Sequence, residues 1–163
     1  MTELLLILLL LVFNGVFAMA EIAIVSAKKA RMMERAEKGS SGARLALKLA
    51  ENPERFLSTV QIGITLVGVL AGAFGGASLA GYVTPWLKEV PFLAGHEEEV
   101  AFGLVVAFIT YLSLIIGELV PKSLALRNAE GIACLMAGPM DWLSRVASPL
   151  VWVLELSTRA LMR

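Results

Sequence analysis

The sequence predicts an all-α membrane protein, with three transmembrane helices and further amphipathic helices lying at the membrane surface. Three observations lead there. The 163 residues are 58% hydrophobic with a mean hydropathy of +0.78, well beyond the soluble range. The apolar residues gather into three runs, about 4–27, 56–79 and 101–126, each long enough to cross a hydrocarbon core of roughly 30 Å. The charges are segregated: eight of the 14 Lys and Arg fall within 28–55, whereas 82–100 holds Lys88 against Glu89, Glu97, Glu98 and Glu99. By the positive-inside rule the basic loop is cytoplasmic, which puts the N-terminus and the acidic loop outside and the C-terminus in the cytoplasm of a multi-pass protein of the cell membrane.

The first run resembles a signal peptide in length, but Glu3 stands where a positive n-region belongs and the apolar pattern continues too far. It reads as a retained span. Asn14 and Glu21 are seven residues apart and share a face, with Ser26 partly off it, so the helix carries a polar stripe that points inward. The basic stretch 28–55 reads as a helical extension, a break at 39–42 and a short amphipathic helix over 43–51 with Leu45, Leu47 and Leu49 near the membrane surface. Asn52, Pro53 and Glu54 give the second span a cap, a first-turn proline and an acidic first turn. That span carries Gln61 and Thr65, then Gly68, Gly72 and Gly76 at four-residue spacing, a ladder that permits close helix approach within the chain or across a dimer. Pro85, Pro91 and Gly95 mark the external loop. Residues 130–163 are apolar enough for a fourth span, but Pro139, Asp141, Arg145 and Pro149 divide them. Trp142 and Trp152 beside Arg145 and Arg159 fit an interfacial belt better.

The third run holds the chemistry. Gly117, Glu118, Pro121, Lys122 and Ser123 follow one another inside seven positions. A carboxylate this deep costs about 3 kcal/mol on insertion scales and usually faces a cavity or a partner. Pro121 has no N–H, so the Gly117 carbonyl four residues earlier loses its helical donor. A free carbonyl, a carboxylate and a hydroxyl form an oxygen set suited to a hard cation. Glu118 has a second reading, as a structural carboxylate neutralised by Lys122 one turn on. Pro121 likewise reads either as part of a site or as a simple kink.

Other chemistries find little support. Lys plus Arg equals Asp plus Glu, so no net charge points to nucleic acid. The single Cys134 excludes an internal disulfide or a cysteine zinc site, and His96 stands alone in a polar connection. The sequence has no HExxH, no Ser–His or Ser–Lys pair at credible spacing and no paired aspartates, so an enzyme is not expected.

Three motifs, FNGVFAMAEIA over 13–23, VQIGITL over 60–66 and GELVPKS over 117–123, together resemble the membrane domain of the CorC/cyclin-M family of magnesium transporters, in the family's order and across essentially the whole chain. The resemblance implies a homodimer of three-span subunits in the bilayer, exporting Mg2+ with Na+ as the coupling ion. It also implies cytoplasmic nucleotide-binding regulatory domains in the full-length protein. Carried over by position, the metal-site candidates are Glu21, Ser26, Thr65, the Gly117 carbonyl, Glu118 and Ser123. Two positions depart from the family pattern: Ile64 stands where many members have Asn, and Glu21 where cyclin-M members have Asn. The competing function is a non-transporting anchor that dimerises a cytoplasmic module. It predicts that Glu118 and Glu21 are dispensable and the glycine ladder is not.

Overall fold

The computed structural model describes residues 2–89, 92 and 95–162, apart from the side chain of Ala77; Pro91 lies outside the described residues. The helices are α1 (Thr2–Ser26), α2 (Lys29–Glu37), α3 (Ser41–Glu51), α4 (Pro53–Leu87), α5 (Glu97–Leu114), a π-helical segment (Ile115–Leu119), α6 (Val120–Arg127), α7 (Ala129–Val146) and α8 (Ser148–Leu161). Among the described residues three helices are long and apolar enough to cross a membrane: Thr2–Ser26, Pro53–Leu87 and the continuous run Glu97–Arg127. The chain is thus a multi-pass helical membrane protein. Helices α7 and α8 are not among the three, and both present exposed tryptophans, Trp142 and Trp152.

Two prolines leave helices intact where breaks were expected. Helix α4 runs through Pro85 to Leu87, beyond the expected end near residue 79. A proline two residues from a terminus removes one ladder bond, and Thr84 Oγ1 adds a bond to the Ala80 carbonyl at 2.8 Å. Helix α7 runs through Pro139. Pro139 and Leu135, whose carbonyl it deprives, are both exposed, so that carbonyl is open to solvation. The real break comes at Ala147, with Pro149 in the first turn of α8.

Contacts divide the chain into two compact units, Met1–Val16 with Ile64–Val120, and Phe17–Gly63 with Pro121–Arg163. In the first unit, the three spans meet at Gly75. A Cβ there would come within 2.2 Å of Ile109 Cδ1 and 3.3 Å of Ile7 Cδ1. Gly76 has a similar approach from Phe102, whereas Gly68 and Gly72 face open space. Only the last rung of the predicted ladder therefore packs within its own unit.

In the second unit, α3 packs on α7. The Ser40 hydroxyl accepts from Ala43 N at 3.2 Å, an N-cap that draws Ser41 and Gly42 into α3 and starts it two residues earlier than expected. Gly39 takes the left-handed conformation (φ 95°) that turns the chain between α2 and α3. Small buried residues face each other, Ala43 and Ala46 on α3 and Ala133 and Ala137 on α7. Leu49 is buried with them, unlike the half-buried Leu45 and Leu47.

Ion pairs reinforce this unit: Arg31 with Glu130 at 3.6 Å, Lys48 with Asp141 at 3.2 Å, and Arg145 with Asp141. Burial alone would raise the Asp141 carboxyl. Hydrogen bonds and positive charge from Lys48 and Arg145 outweigh it and hold Asp141 below the usual carboxylate range. A depressed carboxylate stabilises the fold above its unfolded pKa and loses that contribution as pH falls through its folded one. The melting difference between wild type and Asp141→Asn should therefore stay constant from about pH 8 to about pH 5 and shrink below about pH 4. Thermal melts in detergent across that range check it.

Candidate functional site

The third span departs from α-helical geometry between Leu114 and Val120. Residues Ile115–Leu119 widen into one π-helical stretch, a rare form that recurs at functional positions. Two residues on, Pro121 brings no N–H to the ladder. The Gly117 carbonyl that it would have bonded is instead met from α1: Asn14 Nδ2 donates to Gly117 O at 3.2 Å. Both residues are buried. Glycine is what permits the approach, because a Cβ at 117 would lie 2.8 Å from Asn14 Nδ2.

This bond fixes the amide's orientation, since only the NH2 end can face a carbonyl. The other end, Asn14 Oδ1, is buried with no hydrogen-bond partner among the described residues. A buried acceptor left unmet costs about 1–3 kcal/mol, and such atoms commonly mark a water or ion position. Glu118, next to Gly117, is half-buried, and neither it nor Lys122 lacks an interaction partner. The first unit therefore holds an unmet amide oxygen beside a carbonyl that Asn14 also bonds, with Glu118 next in the chain.

Among the six residues expected from sequence, Gly117, Glu118 and Thr65 belong to the first unit. Thr65 is exposed there. Glu21, Ser26 and Ser123 belong to the second unit, with Glu21 half-buried and Ser26 and Ser123 exposed. Asn14, on the stripe expected to point inward, makes an interhelical hydrogen bond. Its second, unmet oxygen was not foreseen. The available signal was an amide placed mid-span and followed by glycine, a residue pair with no role in lipid-facing helix. Among the described residues no three His, Cys, Asp or Glu side chains converge. An ion held here would rely chiefly on neutral oxygens and water.

A helical protein with three spans, the last widened into a π-helical segment that includes a glutamate, defines a class of polytopic membrane proteins. The comparisons with known proteins narrow it. Residues 5–163 match the family described as the cyclin M transmembrane N-terminal domain, so the chain belongs to that family. It is similar to a UPF0053 protein of Synechocystis, 50% identical over 99% of this chain and 36% of the relative. It is also similar to a protein of Haemophilus influenzae named polyamine export protein, 32% identical over 90% of this chain and 34% of the relative, and to a UPF0053 protein of Bacillus subtilis, 29% identical over 98% of this chain. The chain spans about a third of the length of these relatives.

Proposed function

We propose that this chain is the membrane part of a carrier that exports Mg2+ in exchange for Na+, and that the cation is handled at the π-helical segment of the third span. The observation that carries this reading is the buried, unmet Asn14 Oδ1, on the amide whose NH2 bonds the carbonyl of Gly117, the residue that precedes Glu118. Mg2+ binds oxygen in near-octahedral geometry and usually keeps several waters, so one carboxylate with a few neutral oxygens is a suitable set. Glu21, Ser26, Thr65 and Ser123 are the further oxygens that the family resemblance adds. Gly68 and Gly72, which meet nothing within 4 Å, are the surface offered to the second copy of a homodimer. Cytoplasmic regulatory domains would occupy the length that the relatives have beyond this region.

The Haemophilus relative's printed name favours a second reading, export of a polyamine. A linear polycation needs acidic groups spaced along it, and Glu118 would be one of them. Efflux from proteoliposomes loaded with Mg2+ or with spermidine, with and without an inward Na+ gradient, separates the readings. Saturable Mg2+ efflux that requires the gradient supports the carrier. Spermidine efflux without Mg2+ efflux supports the second reading, and flux of neither favours a non-transporting anchor.

A further inference from the structure

A second polar cluster lies within the unit that holds the belt helices, where α3 ends and α4 begins. It lines a cleft of about 200 Å3. Three cationic side chains, Lys48, Arg55 and Arg145, meet there with one carboxylate, Asp141, so the lining carries a net charge of +2. Asp141 takes Lys48 Nζ on one oxygen and Arg145 on the other. The hydrogen-bond partner of Arg55 is the neutral Ser148 hydroxyl. Lys48 and Arg145 keep 59% and 69% of their side-chain surface exposed despite the pairing, so both retain donors directed outward.

An independent observation points to a ligand. Ser144 lines the same cleft and is only 8% exposed, and its Oγ has no hydrogen-bond partner among the described residues. A buried hydroxyl without a partner, beside an excess of cationic donors, is arranged to meet an incoming anionic oxygen. A phosphate group offers only acceptors, and its geometry suits guanidinium forks. The level in the membrane also fits. Arg55 immediately precedes the apolar run of the second span, and exposed Trp142 and Trp152 mark the interfacial helices, which together set the headgroup region. The cleft's apolar wall, Leu49 and Phe56, would face the glycerol and upper acyl carbons.

We propose that this cleft is a phosphate-binding site, filled in the membrane by the headgroup of an anionic phospholipid. Native mass spectrometry of the purified protein, equilibrated with phosphatidylglycerol or phosphatidylcholine, tests it by counting retained lipids. Wild type should retain phosphatidylglycerol preferentially. Arg55→Gln and Ser144→Ala should each weaken that retention about tenfold, the effect of losing one charge-assisted hydrogen bond. Arg35→Gln, the same charge change away from the cleft, should not. Ser144→Ala removes a single oxygen and carries the test if Arg55→Gln does not fold. A parallel thermal melt with inorganic phosphate in neutral detergent separates the sources. A phosphate-dependent rise in melting lost in the cleft variants, without lipid preference, supports the site and overturns the lipid as its occupant. Equal lipid retention in wild type and cleft variants with no phosphate effect, or an equal loss in Arg35→Gln, overturns the proposal.

Discussion

Replacing Glu118 by glutamine should reduce Mg2+ efflux about a hundredfold, because a charged contact of roughly 3 kcal/mol is lost to a neutral one. Glutamine keeps the size and one oxygen of the side chain, so packing at the π-helical segment is preserved. The change also removes a charge that is unfavourable in the membrane, so insertion should improve. Loss of flux with normal or raised expression is therefore the expected pattern. Lys122, one turn further on, supplies the control. If Glu118 served only to neutralise Lys122, the double variant Glu118→Gln, Lys122→Met should restore what the single variant loses. A cation site predicts no restoration. Unchanged flux in Glu118→Gln would move the chain to the anchor reading.

The largest expected loss of stability lies elsewhere, at Gly42. A Cβ on this residue would sit 2.3 Å from the backbone oxygen of Cys134, and a backbone atom cannot rotate away as a side-chain tip can. Gly42→Ala gains up to about 1 kcal/mol of helix propensity. It loses about 1–3 kcal/mol to overpacking and more with a larger side chain. Gly42→Leu should therefore separate α3 from α7, lower the melting temperature clearly and expose the 28–55 segment to protease. Gly68→Ala adds a methyl where nothing lies within 4 Å and should leave the melting temperature of a single chain unchanged or slightly raised. A Gly42→Leu variant that melts like wild type would contradict the close packing described here.

The contrast between these two glycines shows what the sequence made legible. The three spans were readable because bilayer thickness imposes a length that apolar runs either meet or do not. The disturbance of the third span was expected at Pro121 as a break, yet the helix runs on through that proline to Arg127 and departs from α geometry only over Ile115–Leu119. The π-helical widening was not legible, and neither was the partner of the Gly117 carbonyl, since Asn14 lies 103 residues away in the sequence. Gly42 sat in a run, Gly39 to Gly42, that reads as a flexible connection. The Ser40 cap turns half of it into helix, and contact with α7 gives Gly42 its role. The regular spacing of Gly68, Gly72 and Gly76 reads as a ladder, yet the tightest meeting of the spans falls at Gly75. Periodicity names a face without naming its partner. Asp141 likewise read as a residue that interrupts an apolar run, and only the pairing of α3 with α7 shows why it is there. Pro85 and Pro139 misled in the other direction, since a proline near a helix end or on an exposed edge removes one bond and no more.

On the proposed function, oxygens at the π-helical segment of the third span hold a small hard cation. Calorimetric titration of Mg2+ into the purified protein tests it most directly, comparing wild type with Asn14→Leu and Glu118→Gln. Asn14→Leu removes the buried oxygen and the bond to Gly117 together while keeping the helix lipid-compatible. Saturable binding that weakens at least about tenfold in Asn14→Leu, and further in Glu118→Gln, is the predicted result. Isotherms that superimpose for all three proteins would contradict it.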